Sequence, residues 1–418
     1  MARRPLLLLV VVVSLLLSMS AGGAATITVD VKDYGAKGNG VDDDTKPLMA
    51  AWKAACGSAG AVTMLLSPGT YYIGPVQFHG PCNASTLTFQ LQASHPVALH
   101  CTPIHRYGLL RACAAVQGTL KADTDLSRFR NDWIEFGWVT GLTLAGGVID
   151  GQGAAAWPFN ECPFRKDCKV LPTSVRFVNS RNTAVRDVTS VNPKFFHIAL
   201  LQAKDVRMSG LRISAPPDSP NTDGIHIERS AGVSITDARI GTGDDCISIG
   251  QGNDGVDVAR VRCGPGHGMS VGSLGRYAGE GDVTRVHVRD VVFTGTDNGV
   301  RIKTWENSPT KSSAAHMLFE NLLMEDVRNP IIIDQKYCPY YNCEHKYVSG
   351  VTLQDIQFKN IKGTTTTPVA VMLRCGVPCQ GLVLQDVDLK YKGQGGTSAK
   401  CENATAKYVG YQFPKPCT

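Results

Sequence analysis

Val206-Arg207-Met208-Ser209-Gly210-Leu211-Arg212-Ile213 is followed by Val233-Ser234-Ile235-Thr236-Asp237-Ala238-Arg239-Ile240 and then by Val256-Asp257-Val258-Ala259-Arg260-Val261. Each stretch is a short β-branched run that alternates apolar with polar residues and breaks at a polar turn. Alternation with period two buries every second side chain of a strand. The same phrase begins near residue 140 with Val139-Thr140-Gly141-Leu142-Thr143-Leu144 and returns at Val185-Arg186-Asp187-Val188. It recurs at Val283-Thr284-Arg285-Val286-His287-Val288, Met317-Leu318-Phe319-Glu320-Asn321-Leu322 and Val351-Thr352-Leu353-Gln354-Asp355-Ile356. Taking Val185, Val206, Val233 and Val258 as equivalents gives steps of 21, 27 and 25 residues, one solenoid coil each. No phrase can bury its apolar face alone, whereas stacked coils share one continuous core. Period-3.6 patterning is nearly absent, which excludes helical solenoids. A β-sandwich is the rival, but it would show more hairpin turns of the Asn-Gly kind. The pattern predicts an all-β, single-domain, right-handed parallel β-helix.

Outward from the repeat, the N-terminal part differs. Between Asp44 and Cys56, Leu48, Ala51, Trp52 and Ala55 fall at helical spacing, with Asp44 or Thr45 as cap and Pro47 in the first turn. Such a helix would cover the open end of the solenoid, whose unpaired edge needs covering. Before it, Arg3 and Arg4 precede an apolar run from Leu6 to Leu17 and a small-residue zone, Ser20-Ala21-Gly22-Gly23-Ala24-Ala25. That is the form of a secretory signal peptide over residues 1–25, leaving 26–418 as the β-helix domain of a secreted, extracellular protein. The apolar run is short for a membrane anchor. No other long uncharged apolar stretch follows, so no membrane association is expected.

Fourteen Cys in an exported chain point to disulfides. Cys246/Cys263, Cys338/Cys343, Cys375/Cys379 and Cys401/Cys417 are the close pairs in sequence. Zinc is the rival reading, but no CxxC pair or matching His cluster supports it. Sequons at Asn83-Ala84-Ser85 and Asn403-Ala404-Thr405 would lie on the surface if glycosylated. The formal charge of +6 becomes +4 once Arg3 and Arg4 leave. A mildly basic chain is compatible with a polyanionic substrate. Without a dense Lys/Arg cluster interleaved with aromatics, nucleic acid is not an expected partner.

Four segments break the apolar alternation at coil-equivalent places: Asn221-Thr222-Asp223, Gly243-Asp244-Asp245, Gly266-His267-Gly268 and Arg301-Ile302-Lys303. From Asp223 to Asp245 and from Asp245 to His267 is 22 residues each, and from His267 to Ile302, the centre of the last segment, is 35. Residues one coil apart sit roughly 4.8 Å apart, so Asp223, Asp244, Asp245, His267, Arg301 and Lys303 should form one stripe. Glycoside hydrolysis needs one protonated and one ionised carboxyl flanking the bond. Three Asp close together cannot all ionise cheaply, so at least one should be pushed up into the range of an acid. His267 can orient that acid. Arg301 and Lys303 flank Ile302 and point the same way, which suits a sugar carboxylate. Taken singly, Gly-Asp-Asp and Asn-Thr-Asp read equally as turns, Gly-His-Gly as a loop and Arg-Ile-Lys as a solvated strand face. Three Asp could also hold calcium, but a His and two cations beside them argue against a hard cation.

The four segments, in this order, resemble the signature of the polygalacturonase family, glycoside hydrolase family 28. Ile333-Asp334-Gln335-Lys336-Tyr337 resembles the segment that carries the family's substrate-site Tyr. Tyr34-Gly35-Ala36-Lys37-Gly38-Asn39-Gly40, with Asp43-Asp44-Thr45, resembles the opening of plant members, and Gly147-Val148-Ile149-Asp150-Gly151-Gln152-Gly153 with Trp157 also matches. The resemblance covers nearly the whole mature chain. It implies a right-handed parallel β-helix and inverting hydrolysis of α-1,4-galacturonosidic bonds in pectin or polygalacturonic acid. It implies Asp244 as general acid, Asp223 and Asp245 holding and deprotonating the attacking water, and His267 tuning the acid. Asn221, Arg301, Lys303 and Tyr337 would bind substrate. No cofactor or metal is implied. A monomer is expected, with pectin as substrate and inhibitor proteins of the cell wall as partners. Asp33-Tyr34-Gly35-Ala36-Lys37-Gly38 and Asp334-Gln335-Lys336-Tyr337-Cys338-Pro339 resemble the exo-acting pollen type among plant members, although no motif marks the wall that exo action needs. The alternatives are a hydrolase of rhamnogalacturonan or xylogalacturonan, a calcium-dependent pectate lyase, or a catalytically impaired cell-wall or allergen-like protein.

One stretch departs from the resemblance. Thr86-Leu87-Thr88-Phe89-Gln90-Leu91-Gln92 should run directly into Gly118-Thr119-Leu120, yet residues 93–117 intervene with three His and two Cys. A long surface loop is one reading. A retained intron of 25 codons is the other. An Ala-Ser start can encode a GC-type donor, Gln117 can end in AG, and without Cys101 and Cys113 the Cys count stays even.

Overall fold

The computed structural model describes residues 26–92, 118–165, 167–340 and 347–417. The expected signal peptide and the 93–117 stretch lie outside the described residues. So does Cys343, and with it the pairing of Cys338 and Cys343.

All strand pairings in the described chain are parallel, each strand meeting its counterpart one coil before and one coil after. The result is a right-handed parallel β-helix. Three ladders run along it. One holds Arg181–Arg186, Lys204–Ser209, Ala231–Thr236 and Asp254–Ala259. A second holds Thr189–Val191, Arg212–Ser214, Arg239–Gly241 and Arg262–Cys263. The third holds Ile198–Leu201, Ile225–Glu228, Asp245–Ile249, Gly268–Leu274 and Asn298–Trp305.

The register corrects the equivalences drawn from sequence. Val206 does stand beside Val233, but Val185 stands beside Met208, and Val233 beside Val256 rather than Val258. A slip of two residues leaves every side chain on its face, so alternation alone cannot detect it.

The turn between the first two ladders explains the recurring Asp, Asn and Gly. Asp187, Gly210, Asp237, Arg260, Asp290, Asn321, Asn360 and Asp386 occupy the same place in successive coils, with φ between +48° and +66°. Left-handed backbone favours Gly, Asn and Asp. Asn321 donates to Asp290 at 3.1 Å and Asn360 to Asn321 at 2.8 Å, so these turns are also tied coil to coil.

The helix expected near the N-terminus spans Thr45–Gly57 and buries Leu48, Ala51, Trp52 and Ala55. Trp52 packs 4.9 Å from Phe78 and 5.8 Å from Phe136, at the head of a file that continues to Phe177. Each such buried ring contributes on the order of 1.5–3 kcal/mol. Asp44 stands at the cap position without capping. Its carboxylate accepts instead from the N–H groups of Lys37 and Gly38, and Asp43 takes the Thr45 N–H.

The close pairs Cys246–Cys263, Cys375–Cys379 and Cys401–Cys417 are disulfides, and Cys56–Cys82 and Cys162–Cys168 join them. Asn83 and Asn403 are both exposed.

Candidate active site

The third ladder is the one whose outward side chains are covered. Asp245–Ile249 is buried at every position, whereas Lys204–Ser209 of the first ladder alternates exposed and buried. Strands with both faces covered mark the floor of a groove.

All four segments meet there. Asp223 and Asp245 occupy neighbouring coils, with the Gly224 N–H donating to the Asp245 carbonyl at 2.9 Å. The His267 N–H donates to the Asp244 carbonyl at 2.8 Å. Close backbone contact explains the glycines: a Cβ on Gly243 would lie 2.0 Å from the Ser219 carbonyl oxygen, and one on Gly268 1.9 Å from that of Asn298. Arg301 and Lys303 do point the same way, out of the core that takes Val300 and Ile302.

Asp245 faces the groove because of an irregularity. Register shifts between Asp245 and Ile247, so that Cys246 and Ile247 both enter the core. A bulge re-aims the residue beside it. Strict alternation from Ile247 would have turned Asp245 inward.

The hydrogen bonds define each carboxyl. Asp245 accepts from Arg301 Nη2 and Ser270 Oγ on Oδ1, at 2.9 and 2.8 Å, and from Lys303 Nζ on Oδ2, at 2.9 Å. Burial works to raise its pKa, but the charges of Lys303 and Arg301, with that of His267, outweigh burial and hold the carboxyl well below the usual carboxylate range. Asp223 accepts from Ser248 Oγ at 2.6 Å. Burial pushes its carboxyl well above the usual range, and the charges of Asp244 and Asp245 push the same way. The rise that three crowded acids require therefore falls on Asp223. Asp244 Oδ1 accepts from the Asp245 N–H and from His267 Nδ1, each at 2.8 Å, and Oδ2 accepts from Asn221 Nδ2 at 3.1 Å. Burial opposes charge on His267, yet its bond to Asp244 and the charges of Asp244 and Asp245 raise its pKa above the ordinary histidine value.

Tyr337 pairs with Trp305 in the strand register, and its ring lies 5.3 Å from Lys303 Nζ. Asp244, Asp245 and His267 also bring ligand atoms within 4.8 Å of one another. Both Asp245 oxygens already face Arg301 and Lys303, so a metal ion there would meet two buried positive charges.

Several participants carry no motif. Ser248 and Ser270 are single polar residues on apolar strands, Ile247-Ser248-Ile249 and Met269-Ser270-Val271; a small polar residue in such a run is the signal. His226 Nδ1 stands 2.8 Å from Ser248 Oγ.

A loop from 151 to 174 rises between Val148–Asp150 and Val175–Val178. The Cys162–Cys168 disulfide closes it, and Ala156 and Leu171 pack with Phe195 beneath. Trp157 Nε1 donates to the Pro193 carbonyl one coil on, at 2.9 Å, and Asn160 reaches Pro220 and Asn221 two coils on. The loop therefore leans over the groove on the N-terminal side of the aspartates. A cavity of about 450 Å³ lies between 124–131 and this loop, lined by Ala155, Phe159 and Leu171 and by none of the acids.

Three clustered carboxyls, one held ionised and one pushed up, in the groove of a β-helix define a glycoside hydrolase of polysaccharide-binding form. The chain belongs to Glycosyl hydrolases family 28, whose profile matches residues 56–410. An exopolygalacturonase of Platanus acerifolia is 42% identical over 389 residues, covering 92% of this chain and 96% of that one. An exopolygalacturonase of Zea mays is 43% identical over 387 residues, 91% of this chain and 88% of that one. Among solved structures, an exopolygalacturonase from Thermotoga maritima superposes with a TM-score of 0.70 at 19% identity, over 91% of each chain. An endo-xylogalacturonan hydrolase from Aspergillus tubingensis superposes with 0.73 at 22% identity, over 92% of this chain and 100% of that one. At these identities the two structures speak for the fold.

Proposed function

We propose that the chain hydrolyses α-1,4-galacturonosidic bonds of polygalacturonan with inversion, releasing units from a chain end. The donors gathered on Asp244, beside an Asp245 carboxylate held between Arg301 and Lys303, carry the reading. Asp245, kept ionised by two cations, takes the proton of the attacking water, and Asp223 orients that water. Both are buried, at 1% and 6% exposure. Asp244, whose side chain is 16% exposed, faces the glycosidic oxygen. Its Oδ1 lone pairs are filled by two donors and one on Oδ2 by Asn221, so the catalytic proton sits on the remaining Oδ2 position. That proton passes to the leaving oxygen as water bonds to the anomeric carbon and the glycosidic bond breaks. His267 is the charged donor beside it.

Arg301 and Lys303 take the substrate carboxylate with N–H donors not spent on Asp245 and Ser270, and Tyr337 packs on the sugar. The 151–174 loop supplies the wall that limits one end of the groove. No cofactor takes part. Among the described residues no helix is long and apolar enough to cross a membrane. The signal-like N-terminus and the cell-wall substrate fit a secreted monomer, open to cell-wall inhibitor proteins at the groove. The test is product analysis on polygalacturonic acid. Monomer from the first minutes is expected, and a ladder of oligomers with rapid viscosity loss would overturn the exo mode. Asp244→Asn should abolish turnover with the fold retained; normal activity in that variant would refute the assignment of the acid.

A further inference from the structure

Asn160 lies in the wall, buried at 6% exposure. Its amide has two backbone anchors. The Cys162 N–H donates to Asn160 Oδ1 at 3.0 Å, and Asn160 Nδ2 donates to the Pro220 carbonyl at 3.2 Å. A backbone N–H can only donate and a carbonyl can only accept, so these two contacts fix which end of the amide is nitrogen. The same Nδ2 donates to Asn221 Oδ1 at 3.1 Å, which turns the other end of the Asn221 amide, Nδ2, toward Asp244 Oδ2 at 3.1 Å. Asn221 itself sits in left-handed backbone, φ +53°, so its side chain leaves the turn at a set angle.

We propose that Asn160 is a positioning residue for the reaction: through Asn221 it decides that Asp244 Oδ2 meets a donor on one side and keeps the other side for the catalytic proton. The inference rests on Asp244 being the acid. With Asn160 in place the Asn221 amide has one orientation. Without it, Asn221 is free to turn its oxygen toward Asp244, where two oxygens would repel unless the carboxyl held its proton. The wall and the acid are thus one hydrogen-bonded unit, from the Cys162 N–H through both amides to Asp244.

The test uses the full mature chain with Asn160→Leu, which removes all three side-chain bonds without adding charge, and Asn160→Ala as the second variant. Loss of a donor to the ionised form makes a carboxyl keep its proton to higher pH. The alkaline limb of kcat/KM on polygalacturonic acid should therefore move up by about half to one pH unit, with kcat down about tenfold. Asp244→Asn, measured alongside, separates the two ideas: activity there sinks the acid assignment itself. If Asp244→Asn is dead but either folded Asn160 variant shows the wild-type pH profile with only a lowered Tm, Asn160 merely braces the loop and the proposal fails.

Discussion

Lys303 Nζ stands 2.9 Å from Asp245 Oδ2, and both side chains are buried. Alone, a Lys beside a pectin-binding groove reads as a substrate clamp whose loss would mainly weaken binding. The contact gives it a second task, since Lys303 is the first of the charges that hold Asp245 ionised. Lys303→Met should therefore lower kcat as well as raise KM, by about tenfold or more in kcat. It should also lift the acid limb of kcat, because the Asp245 carboxyl climbs back toward its ordinary range. A depressed carboxyl contributes stability above its unfolded pKa, about 3.9, and that contribution is lost as pH falls through the lower folded value. In Lys303→Met the loss begins at higher pH, so acid unfolding should start earlier. Rate profiles and acid titration by circular dichroism check both.

Asp223 has the opposite sign. Its raised carboxyl means that the folded state binds the proton more tightly than the unfolded chain. Stability from this group is full below about pH 3.9 and declines as pH rises through the folded value. Asp223→Asn removes a buried carboxyl that ionises only at a cost and leaves an amide oxygen for Ser248 to donate to. Turnover should fall by about 10³-fold, while Tm at pH 7 rises by a few degrees. At about pH 3–4 the two Tm values should converge. A variant less stable than wild type at pH 7 would show that Asp223 is not a strained acid.

The fold and the acid stripe were legible because both rest on periodicity. Alternation gave the strands, and coil-length spacing brought Asp223, Asp244, Asp245 and His267 together. Three kinds of information were out of reach. The Asp245 bulge inverts local alternation, and nothing in Asp245-Cys246-Ile247 announces it. Register within a ladder is ambiguous by two, which is why Val256 and not Val258 faces Val233. Asn160 acts across two coils, and a lone Asn in a Pro- and Cys-bearing loop reads as a turn. The wall was unread for the same reason: its reach over the groove depends on where Trp157 and Asn160 land, at Pro193 and Pro220.

That reach makes the wall testable. Replacing 158–170 with Gly-Gly removes Asn160, Cys162 and Cys168 together and clears the N-terminal side of the groove. The product pattern should shift from monomer toward oligomers. Because Asp244 loses its braced Asn221, the rate should fall too, so chain-length distribution at equal conversion is the proper measure. Unchanged monomer release at equal conversion would mean that another element ends the groove.

Residues 93–117 read from sequence as a retained intron or a surface loop. Gly118 N–H donates to the Gln92 carbonyl at 2.7 Å, so the chain leaves and returns at one place. The neighbouring coils show what that corner tolerates. One coil earlier, Leu66 matches Leu91 and Gly69 matches Gly118, with Ser67 and Pro68 between them. One coil later, Gln90 matches Ala145 and Thr119 matches Val148, so Gly146 and Gly147 fill the places of Leu91 and Gly118 with nothing between. Joining Gln92 to Gly118 leaves one residue at the corner, between the two of one neighbour and the none of the other. The deleted chain should fold to the same circular dichroism spectrum, with unchanged kcat on polygalacturonic acid. Its Tm should equal or exceed that of the full chain, since closing a loop of this length costs on the order of 2–3 kcal/mol. Transcripts sequenced across Gln92 and Gly118 decide which form is made. A deleted protein that fails to fold would show that the corner needs the segment and that it belongs to the enzyme.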